Sequence, residues 1–278
     1  KVNGLKGGHS GLEIHTGRGN AIKIINRVLM SLENLGARLS KIDGGNKHNA
    51  IPRETEARVF IPKKNWEKAV AVTEEFNGAI KAELSTVEPG LSISLTELER
   101  VKKGKVLKKS QQKKILRTIA GLPHGVVKMS ADIPGLVETS TNVAVIKTTP
   151  KAIRIATSQR SSVDSEIVEI CQMVGSIFEL GGAEVEEGSG YPGWKPNLDS
   201  DVLKVAKSTY KTLYGKEPEV KAIHAGLECG IIGAKFPGMD MVSMGPTLED
   251  VHSPDEKIYI DTVEKFWEYL LAVLKNTK

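Results

Sequence analysis

The chain has 278 residues and a net charge of +5, from 39 Lys and Arg against 34 Asp and Glu, and this length allows roughly two domains. Charged residues make up 26 % and hydrophobic residues 40 %, which excludes a globally disordered chain. Two cysteines cannot form a disulfide framework, and no apolar run approaches the ~18 residues that span a bilayer.

The first two thirds of the chain predict a mixture of helices and strands. Apolar residues spaced three and four apart predict a helix, and apolar residues at every second position predict a strand. On these patterns we expect helices at 19–35, 66–80, 110–122 and 163–178, and strands at 57–61, 91–95, 137–146 and 153–157. The lysine-rich segment 100–117 contains no aromatic residue, so we interpret it as a solvated helix face rather than a nucleic-acid contact.

A stretch rich in Gly and Pro at 188–196 is the best candidate for a domain boundary. After it, we expect helices near 199–214 and 262–275 and strands near 220–223 and 239–243. This alternation predicts an α/β fold with a mostly parallel sheet in the C-terminal part. Two strands are fewer than the roughly four to six of an ordinary sheet. We therefore interpret this part as a portion of a larger α/β domain whose remainder precedes Lys1.

A histidine on a glycine-rich turn is the first candidate for chemistry. His9 lies in the motif Gly-Gly-His-Ser-Gly, where the glycines let a ligand approach the backbone closely. A histidine in this setting can donate a hydrogen bond to a developing oxyanion, although an ordinary surface-loop histidine fits the same pattern. Asn49, which precedes Ala-Ile-Pro, is on its own only a turn signal.

Three further polar residues stand beside predicted elements. Arg160 follows the predicted strand 153–157, where a guanidinium suits a carboxylate but is also compatible with simple solvation. His252 lies in a loop of the kind at which α/β sheets bind ligands. Metal ligation by this histidine and helix capping by the Ser-Pro-Asp-Glu that follows it both fit. Glu228 stands among small residues before an apolar stretch, an unusual place for a carboxylate.

Several motifs, taken in chain order, together resemble one family. They are Gly-Gly-His-Ser-Gly, Gly-Asn-Ala, Asn-Ala-Ile-Pro-Arg-Glu, Val-Glu-Thr-Ser-x-Asn-Val, Tyr-Pro-Gly-Trp-x-Pro, His-Ala-Gly-Leu-Glu-Cys-Gly, Met-Asp-Met-Val-Ser-x-Gly-Pro and His-Ser-Pro-Asp-Glu. In this order they resemble the Xaa-His dipeptidases, which are aminoacyl-histidine (carnosinase-like) dipeptidases. These belong to the zinc exopeptidases that include aminoacylase and glutamate carboxypeptidase. The resemblance covers essentially the whole chain.

The resemblance implies an architecture and an activity. Members of the family have an α/β catalytic domain with a pair of metal ions, interrupted by an inserted α/β lid domain. On this chain, residues 1–190 would be the lid and residues 191–278 the C-terminal segment of the catalytic domain, with its largely parallel sheet. The implied activity is metal-dependent hydrolysis of dipeptides such as carnosine, with two divalent ions, zinc first and manganese or cobalt as alternatives.

The resemblance also assigns roles to the candidate residues. His9 matches the lid histidine that stabilises the oxyanion, and His252 matches a metal-ligand histidine near the C-terminus. Arg160 matches the lid arginine that contacts the substrate carboxylate. Asn49 matches a lid asparagine that contributes to substrate binding, and Glu228 is expected to contact the amino end of the substrate.

Other family residues are not found in this chain. A His-x-Asp pair, a bridging Asp, a Glu-Glu pair and a further Asp should precede the Gly-Gly-His-Ser-Gly motif, because the metal ions and the general base require them. None precedes it here, and the chain begins at Lys1 rather than at a methionine. We therefore expect the lid and C-terminal portion of such a dipeptidase, inactive alone.

Two alternatives stay open at this point. One is a related aminoacylase or tripeptidase on the same scaffold, and the other is a non-catalytic module for binding or dimerisation. The expected partners are a small dipeptide substrate and a second copy of the chain in a homodimer, with neither nucleic acid nor membrane. The expected location is the cytoplasm.

Overall fold

The computed structural model describes residues 1–98, 104–188, 190, 192–194, 197–221, 228–249 and 256–277. Two compact units divide this part of the chain. We call the described residues from 1 to 188 unit 1 and those from 190 to 277 unit 2. His252 lies outside the described residues.

Unit 1 alternates strands and helices, which confirms the predicted α/β class. The strands are β1 (Val2–Asn3), β2 (Gly8–His9), β3 (Arg38–Gly44), β4 (Ala50–Ile51), β5 (Thr55–Phe60), β6 (Ser92–Ile93), β7 (Gly125–Met129), β8 (Val137–Thr148) and β9 (Ile153–Ser161). The helices are α1 (Ala21–Asn34), α2 (Trp66–Glu83), α3 (Lys109–Gly121) and α4 (Asp164–Leu180). The apolar spacings therefore identified these four helices, whereas β3, β7 and the short strands β1 and β2 were missed.

The main sheet of unit 1 has the order β6-β1-β5-β3-β8. Thr139 of β8 pairs with Lys128 of β7 and also with Ser161 of β9, so β7 and β9 lie along opposite edges of β8. Lys147 of β8 likewise pairs with both β3 and β9, which places β3 on the same edge as β7. The long strand β8 is consequently the element that joins the two halves of the sheet.

The first helix shows why the sequence folds in this way. Four apolar side chains of α1 share one face and are buried in the core of unit 1: Ile22, Ile25, Leu29 and Leu32. Asn20 caps the helix, since its Oδ1 accepts hydrogen bonds from the amides of Ile22 and Lys23 at 3.0 and 3.1 Å. Gly36 follows the helix with a φ of +82°, as a helix end requires. Burial of each such side chain contributes about 1.5–3 kcal/mol.

Unit 2 differs from the predicted parallel sheet. Its described elements are α5 (Asp201–Tyr214), α6 (Glu228–Lys235), β10 (Leu248–Glu249), β11 (Lys257–Ile258) and α7 (Ile260–Asn276), and β10 pairs with β11 in the antiparallel direction. Every strand pairing among the described residues is in fact antiparallel. The expected parallel sheet is thus wrong for the part of the chain that the structure describes.

The apolar run at 239–243 is not a strand. Its Asp240 instead accepts a hydrogen bond from the amide of Val202 at 2.9 Å, in the first turn of α5. The segment is therefore held by a helix terminus rather than by a neighbouring strand. Residues 220 and 221 are not in a strand either, and the rest of that predicted strand lies outside the described residues.

No helix within the described ranges has the length and apolar character needed to cross a membrane.

Candidate functional site

A short ribbon of two strands carries the candidate histidine. β2 pairs with β4 in the antiparallel direction, with Gly8 opposite Ile51 and His9 opposite Ala50. The amide of Ser10 donates to the carbonyl oxygen of Asn49 at 2.9 Å. Two of the predicted site residues, His9 and Asn49, are therefore neighbours although 40 positions separate them in the sequence.

The imidazole of His9 has a defined orientation. Its Nδ1 accepts hydrogen bonds from the backbone amides of Gly11 at 3.2 Å and Leu12 at 3.1 Å. A ring nitrogen that accepts from an amide carries no proton, so the neutral ring has its proton on Nε2. His9 is half-buried. The ring can therefore act as a hydrogen-bond donor through Nε2, which is the chemistry that oxyanion stabilisation requires.

The buried carboxylate of Glu88 holds together the two ends of the segment that carries His9. Glu88 is 1 % exposed, and it accepts hydrogen bonds from the amide of Lys6 at 2.7 Å and from the amide of Gly19 at 3.0 Å. These two amides flank residues 7–18. One side chain therefore holds both ends of this segment together.

The sheet places Arg160 on the face that meets the ribbon. β9 extends to Ser161, and Arg160 pairs with Ser140 of β8. Residues two apart on a strand share a face, so Asn142 lies on the same face as Ser140 and Arg160. The Nδ2 of Asn142 donates to the carbonyl oxygen of Ala50 at 2.8 Å. Asn142 thereby joins the ribbon to the strand that lies beside Arg160.

The strand that leads to Arg160 is longer than the predicted 153–157. The pattern ended the strand at residue 157, because the residues after it, Ser-Gln-Arg-Ser, are polar. They continue the strand because β8 offers an equally polar partner: Thr139, Thr141 and Asn142 pair with Ser161, Gln159 and Ser158. Backbone pairing does not require apolar side chains where the neighbouring strand is polar too.

A buried polar stripe runs along β8 and was missed by the sequence patterns. It comprises Glu138, Thr139, Ser140, Thr141 and Asn142, all of which are buried. The five consecutive polar residues inside a predicted strand were the available signal, because an ordinary half-buried strand alternates polar and apolar residues. Glu138, at one end of the stripe, forms an ion pair with Lys128, with 2.8 Å between its Oε1 and the Nζ of the lysine. This ion pair raises the pKa of Lys128.

Three polar atoms around the ribbon and the stripe lack a hydrogen-bond partner within the described residues. They are the Oγ of Ser10, the Oδ1 of Asn142 and the Nε of Arg160. An unpaired buried polar atom costs free energy, and such atoms are therefore uncommon in folded proteins. Asn26, Arg38 and Thr55 each have such an atom elsewhere in unit 1, so the three atoms here mark polar groups that a ligand could satisfy without singling out this region.

The other two candidate residues belong to the C-terminal part. Glu228 is the first residue of α6 and is exposed, while His252 lies outside the described residues. No group of three or more His, Cys, Asp or Glu side chains in the described part of the chain could hold a metal ion. The described residues thus do not fit the pair of metal ions that the resemblance implies.

Comparison with known proteins agrees with the resemblance. Residues 1–88 match the family described as the peptidase dimerisation domain. The chain is 38 % identical over 276 residues to the cytosol non-specific dipeptidase of Escherichia coli (strain K12), which covers 99 % of this chain and 56 % of that protein. It is also 26 % identical over 130 residues to YqjE, an uncharacterised protein of Bacillus subtilis (strain 168), covering 45 % of this chain and 34 % of that protein.

A solved structure matches the whole fold. The crystal structure of aminoacylhistidine dipeptidase from Vibrio alginolyticus superposes with a TM-score of 0.88 and 40 % sequence identity, covering 100 % of this chain and 56 % of that one. This chain spans about half the length of the two dipeptidases. The partial coverage does not by itself bear out the expectation that an upstream catalytic part is missing. Over nearly its whole length the chain is therefore similar to one part of two dipeptidases, and its residues 1–88 match a peptidase dimerisation domain.

Proposed function

We propose that this chain forms the lid and the C-terminal catalytic segment of a metal-dependent dipeptidase that prefers unblocked Xaa-His dipeptides. The observation that carries the proposal is the agreement over the whole chain with aminoacylhistidine dipeptidase, at a TM-score of 0.88 and 40 % identity. In this proposal residues 1–190 are the lid and residues 191–278 the catalytic segment. The two compact units of the described chain are consistent with such a division.

In the proposed reaction, His9 donates a hydrogen bond to the oxyanion that forms when the peptide carbonyl is attacked. The acceptor role of Nδ1 supports this, because it leaves the ring proton on Nε2. A donor that is already oriented before the charge develops stabilises the transition state without a cost of reorganisation. Asn49, beside His9 in the ribbon, contributes to holding the substrate.

Arg160 binds the C-terminal carboxylate of the dipeptide in this proposal. A guanidinium suits a two-point contact with a carboxylate, and the Nε of Arg160 is a buried donor with no hydrogen-bond partner among the described residues. Asn142 extends the same surface, since its Oδ1 is unpaired within the described residues and its Nδ2 is committed to Ala50. We therefore add Asn142 to the proposed substrate contacts.

The remaining roles fall to the C-terminal segment. Glu228 is proposed to contact the amino end of the dipeptide, and His252 is proposed as a metal ligand. The dipeptidase as a whole is proposed to use two divalent ions, zinc first and manganese or cobalt as alternatives. Since the described residues do not form a metal site, we expect this chain alone to be inactive towards dipeptides.

The proposal extends to assembly and location. A homodimer is proposed because residues 1–88 match a peptidase dimerisation domain. A cytoplasmic location is proposed because the E. coli relative is named a cytosol dipeptidase. Light scattering on this chain should give twice the mass of a monomer, and a monomeric mass at micromolar concentration would contradict the dimer.

A chimera tests the proposed activity. This chain is joined to the part of the E. coli dipeptidase that it does not match, supplied with Zn²⁺ or Mn²⁺, and assayed with carnosine, a tripeptide and an N-acyl amino acid. We expect the kcat/KM for the Xaa-His dipeptide to exceed the other two by about tenfold or more, on the scale of one lost hydrogen bond to a charged group. A preference for the acyl amino acid or the tripeptide would favour those activities instead.

Two arginines of the same strand test the carboxylate contact in this chimera. Arg160→Gln should raise KM by about 10- to 100-fold, because a hydrogen-bonded charge pair contributes about 1.5–3 kcal/mol. Arg154→Gln is the matched control, since Arg154 lies on β9 with an exposed side chain. Equal KM values for the two variants would rule out the assigned role of Arg160.

A further inference from the structure

The segment that carries His9 contains an ion pair to which the sequence motifs assigned no role. The Nη2 of Arg18 lies 2.6 Å from Oε1 of Glu13, and the two side chains are only 23 % and 33 % exposed. Arg18 and Glu13 both lie within residues 7–18, the segment that Glu88 closes at its base. A partly buried pair with a two-point arginine is better defined in geometry than an ordinary surface pair.

This ion pair is tied to the backbone on both sides of Gly8. The Nη1 of Arg18 donates to the carbonyl oxygen of Gly7. The Oε2 of Glu13 accepts from the amide of His9 at 2.7 Å. The two side chains therefore fix the peptide units before and after Gly8, and with them the backbone that carries the imidazole.

Gly8 itself is explained by the same contact. A Cβ placed on Gly8 would collide with the Nη1 of Arg18 and with the Oε2 of Glu13. The backbone at Gly8 also has a φ of +140°, which side chains of the L configuration rarely adopt. The ion pair occupies the space that a Cβ on Gly8 would need, and the backbone conformation independently favours glycine there.

The turn that follows completes the restraint on the ring. The amide of Glu13 donates to the carbonyl oxygen of His9 at 3.0 Å, which closes residues 9–13 into one turn. This closure brings the amides of Gly11 and Leu12 to Nδ1 of His9. The backbone position of Glu13 and its side-chain pairing with Arg18 thus act on the same histidine from two directions.

We propose that Arg18 and Glu13 are positioning residues that hold the His9 imidazole as its Nε2–H tautomer and in a single orientation. The proposal rests on the oxyanion role proposed for His9, which it deepens by naming what presents the donor. Neither residue touches the substrate. They act by raising the fraction of molecules in which the His9 ring has its proton on Nε2 and can donate it.

The direct test is NMR of the full chain labelled with ¹⁵N, without peptide or added metal. Two-bond ¹H–¹⁵N correlations should show the His9 ring with its proton on Nε2. In Arg18→Lys the positive charge remains, but one ammonium cannot reproduce the fork to Glu13 and Gly7. In this variant we expect the His9 ring to interconvert between tautomers and orientations. We also expect hydrogen exchange at the amides of Gly11 and Leu12 to be about tenfold faster than in the wild type.

Arg27→Lys is the matched control for Arg18→Lys. Arg27 makes a two-point pair with Glu83 at 2.6 and 2.8 Å, on exposed parts of α1 and α2. This control should leave the His9 ring and both amides unchanged. Glu13→Gln is a second variant, which keeps the shape of the side chain but removes the charge. We expect it to change the His9 ring and both amides as Arg18→Lys does. It replaces Arg18→Lys as the test if that variant folds poorly.

Two results would overturn the proposal. One is a wild-type His9 ring protonated on Nδ1, and the other is a ring and amides that respond no more to Arg18→Lys and Glu13→Gln than to Arg27→Lys. Because this measurement needs no hydrolysis, it stands even if the dipeptidase activity fails. In an active chimera, Arg18→Lys should also lower kcat with KM unchanged, and a lowered affinity alone would count against a positioning role.

Discussion

The two compact units bury their apolar residues very differently. Unit 1 has a continuous core contributed by its sheet and its four helices, with fully buried members that include Ile22, Leu39, Ile80, Leu116, Ile119 and Ile146. Among the described residues of unit 2, the buried apolar side chains are Ala206 and Val273. Unit 1 therefore closes a core of its own, and it is also the unit that carries His9, Asn49 and Arg160.

Helix α7 of unit 2 exposes a stripe of apolar side chains instead. Ile260, Trp267 and Leu274 are 84 %, 58 % and 62 % exposed. They follow one another at intervals of seven residues, so they lie on one face of the helix. Val263 on the same helix is exposed as well. A large exposed apolar stripe is typical of a surface that another polypeptide covers. This agrees with the proposal that unit 2 belongs to a larger catalytic domain.

An aromatic cluster replaces the aliphatic core in unit 2. The ring of Tyr210 lies 4.7 Å from that of Tyr214 and 5.4 Å from that of Tyr269, both in edge-to-face geometry. The hydroxyl of Tyr269 donates to the carbonyl oxygen of Ala206 at 3.0 Å. Helices α5 and α7 are thus joined by a few oriented contacts, which supply less burial than the core of unit 1.

The largest expected effect is a difference between the two units in the unfolding free energy that a truncated side chain costs. Ile22→Ala removes a fully buried side chain from α1, and it should lower the free energy of unfolding by about 2–5 kcal/mol. Leu274→Ala is the matched control on α7, where the exposed side chain should change stability by less than about 0.5 kcal/mol. Urea unfolding followed by circular dichroism measures both. Equal losses would contradict the contrast between the units.

A half-buried histidine makes the stability of unit 1 depend on pH. Burial, with a smaller contribution from Lys23, lowers the pKa of His124 from 6.5 to about 4. The Nδ2 of Asn20 lies 3.2 Å from Nδ1 of His124, and as an amide donor it favours the unprotonated ring. Between pH 6.5 and 4 the unfolded chain therefore binds the proton that the folded chain does not.

This contribution to stability is full above pH 6.5 and is lost as the pH falls towards 4. The loss is about 3 kcal/mol, from 1.36 kcal/mol per pH unit over that window. Thermal unfolding between pH 4 and 7 should show this slope in the wild type and a shallower slope in His124→Gln. His48→Gln, at an exposed position, is the control that should keep the slope. An unchanged slope in His124→Gln would refute the assignment.

A smaller effect concerns the base of the His9 segment. Glu88→Gln keeps one acceptor oxygen, but its amide group faces a backbone amide, so Lys6 or Gly19 loses its partner. We expect a loss of about 1–3 kcal/mol of unfolding free energy, the cost of an unsatisfied buried donor. The exposed Glu83→Gln should lose no more than about 1 kcal/mol. A loss in Glu88→Gln no larger than in Glu83→Gln would contradict the conclusion that Glu88 holds the two ends of the segment together.

The sequence predicted the helices of unit 1 better than its strands. Helix α1 followed from its apolar spacing and from the residues at its ends, because both signals are local. The strand β3 was missed because its sequence, Arg-Leu-Ser-Lys-Ile-Asp-Gly, has too few apolar residues to show a period of two. Its place in the sheet depends on β5 and β8, which are distant in the sequence.

The candidate site was predictable only in part for a similar reason. The motif around His9 was visible as a pattern of glycines, and the family resemblance supplied its role. Asn142 was not singled out, because its importance depends on burial and on its contact with Ala50 across 92 residues of sequence. Arg18 and Glu13 were not singled out either, because charged residues near a turn ordinarily face solvent.

The role proposed for His9 is to stabilise the oxyanion in a dipeptidase. The most direct measurement compares His9→Ala with His15→Ala in the chimera, since His15 is an exposed histidine six residues away. We predict that His9→Ala lowers kcat for the Xaa-His dipeptide by about 10²- to 10³-fold, as the loss of an oxyanion donor does, while His15→Ala keeps wild-type activity. Wild-type kcat in His9→Ala would contradict the account.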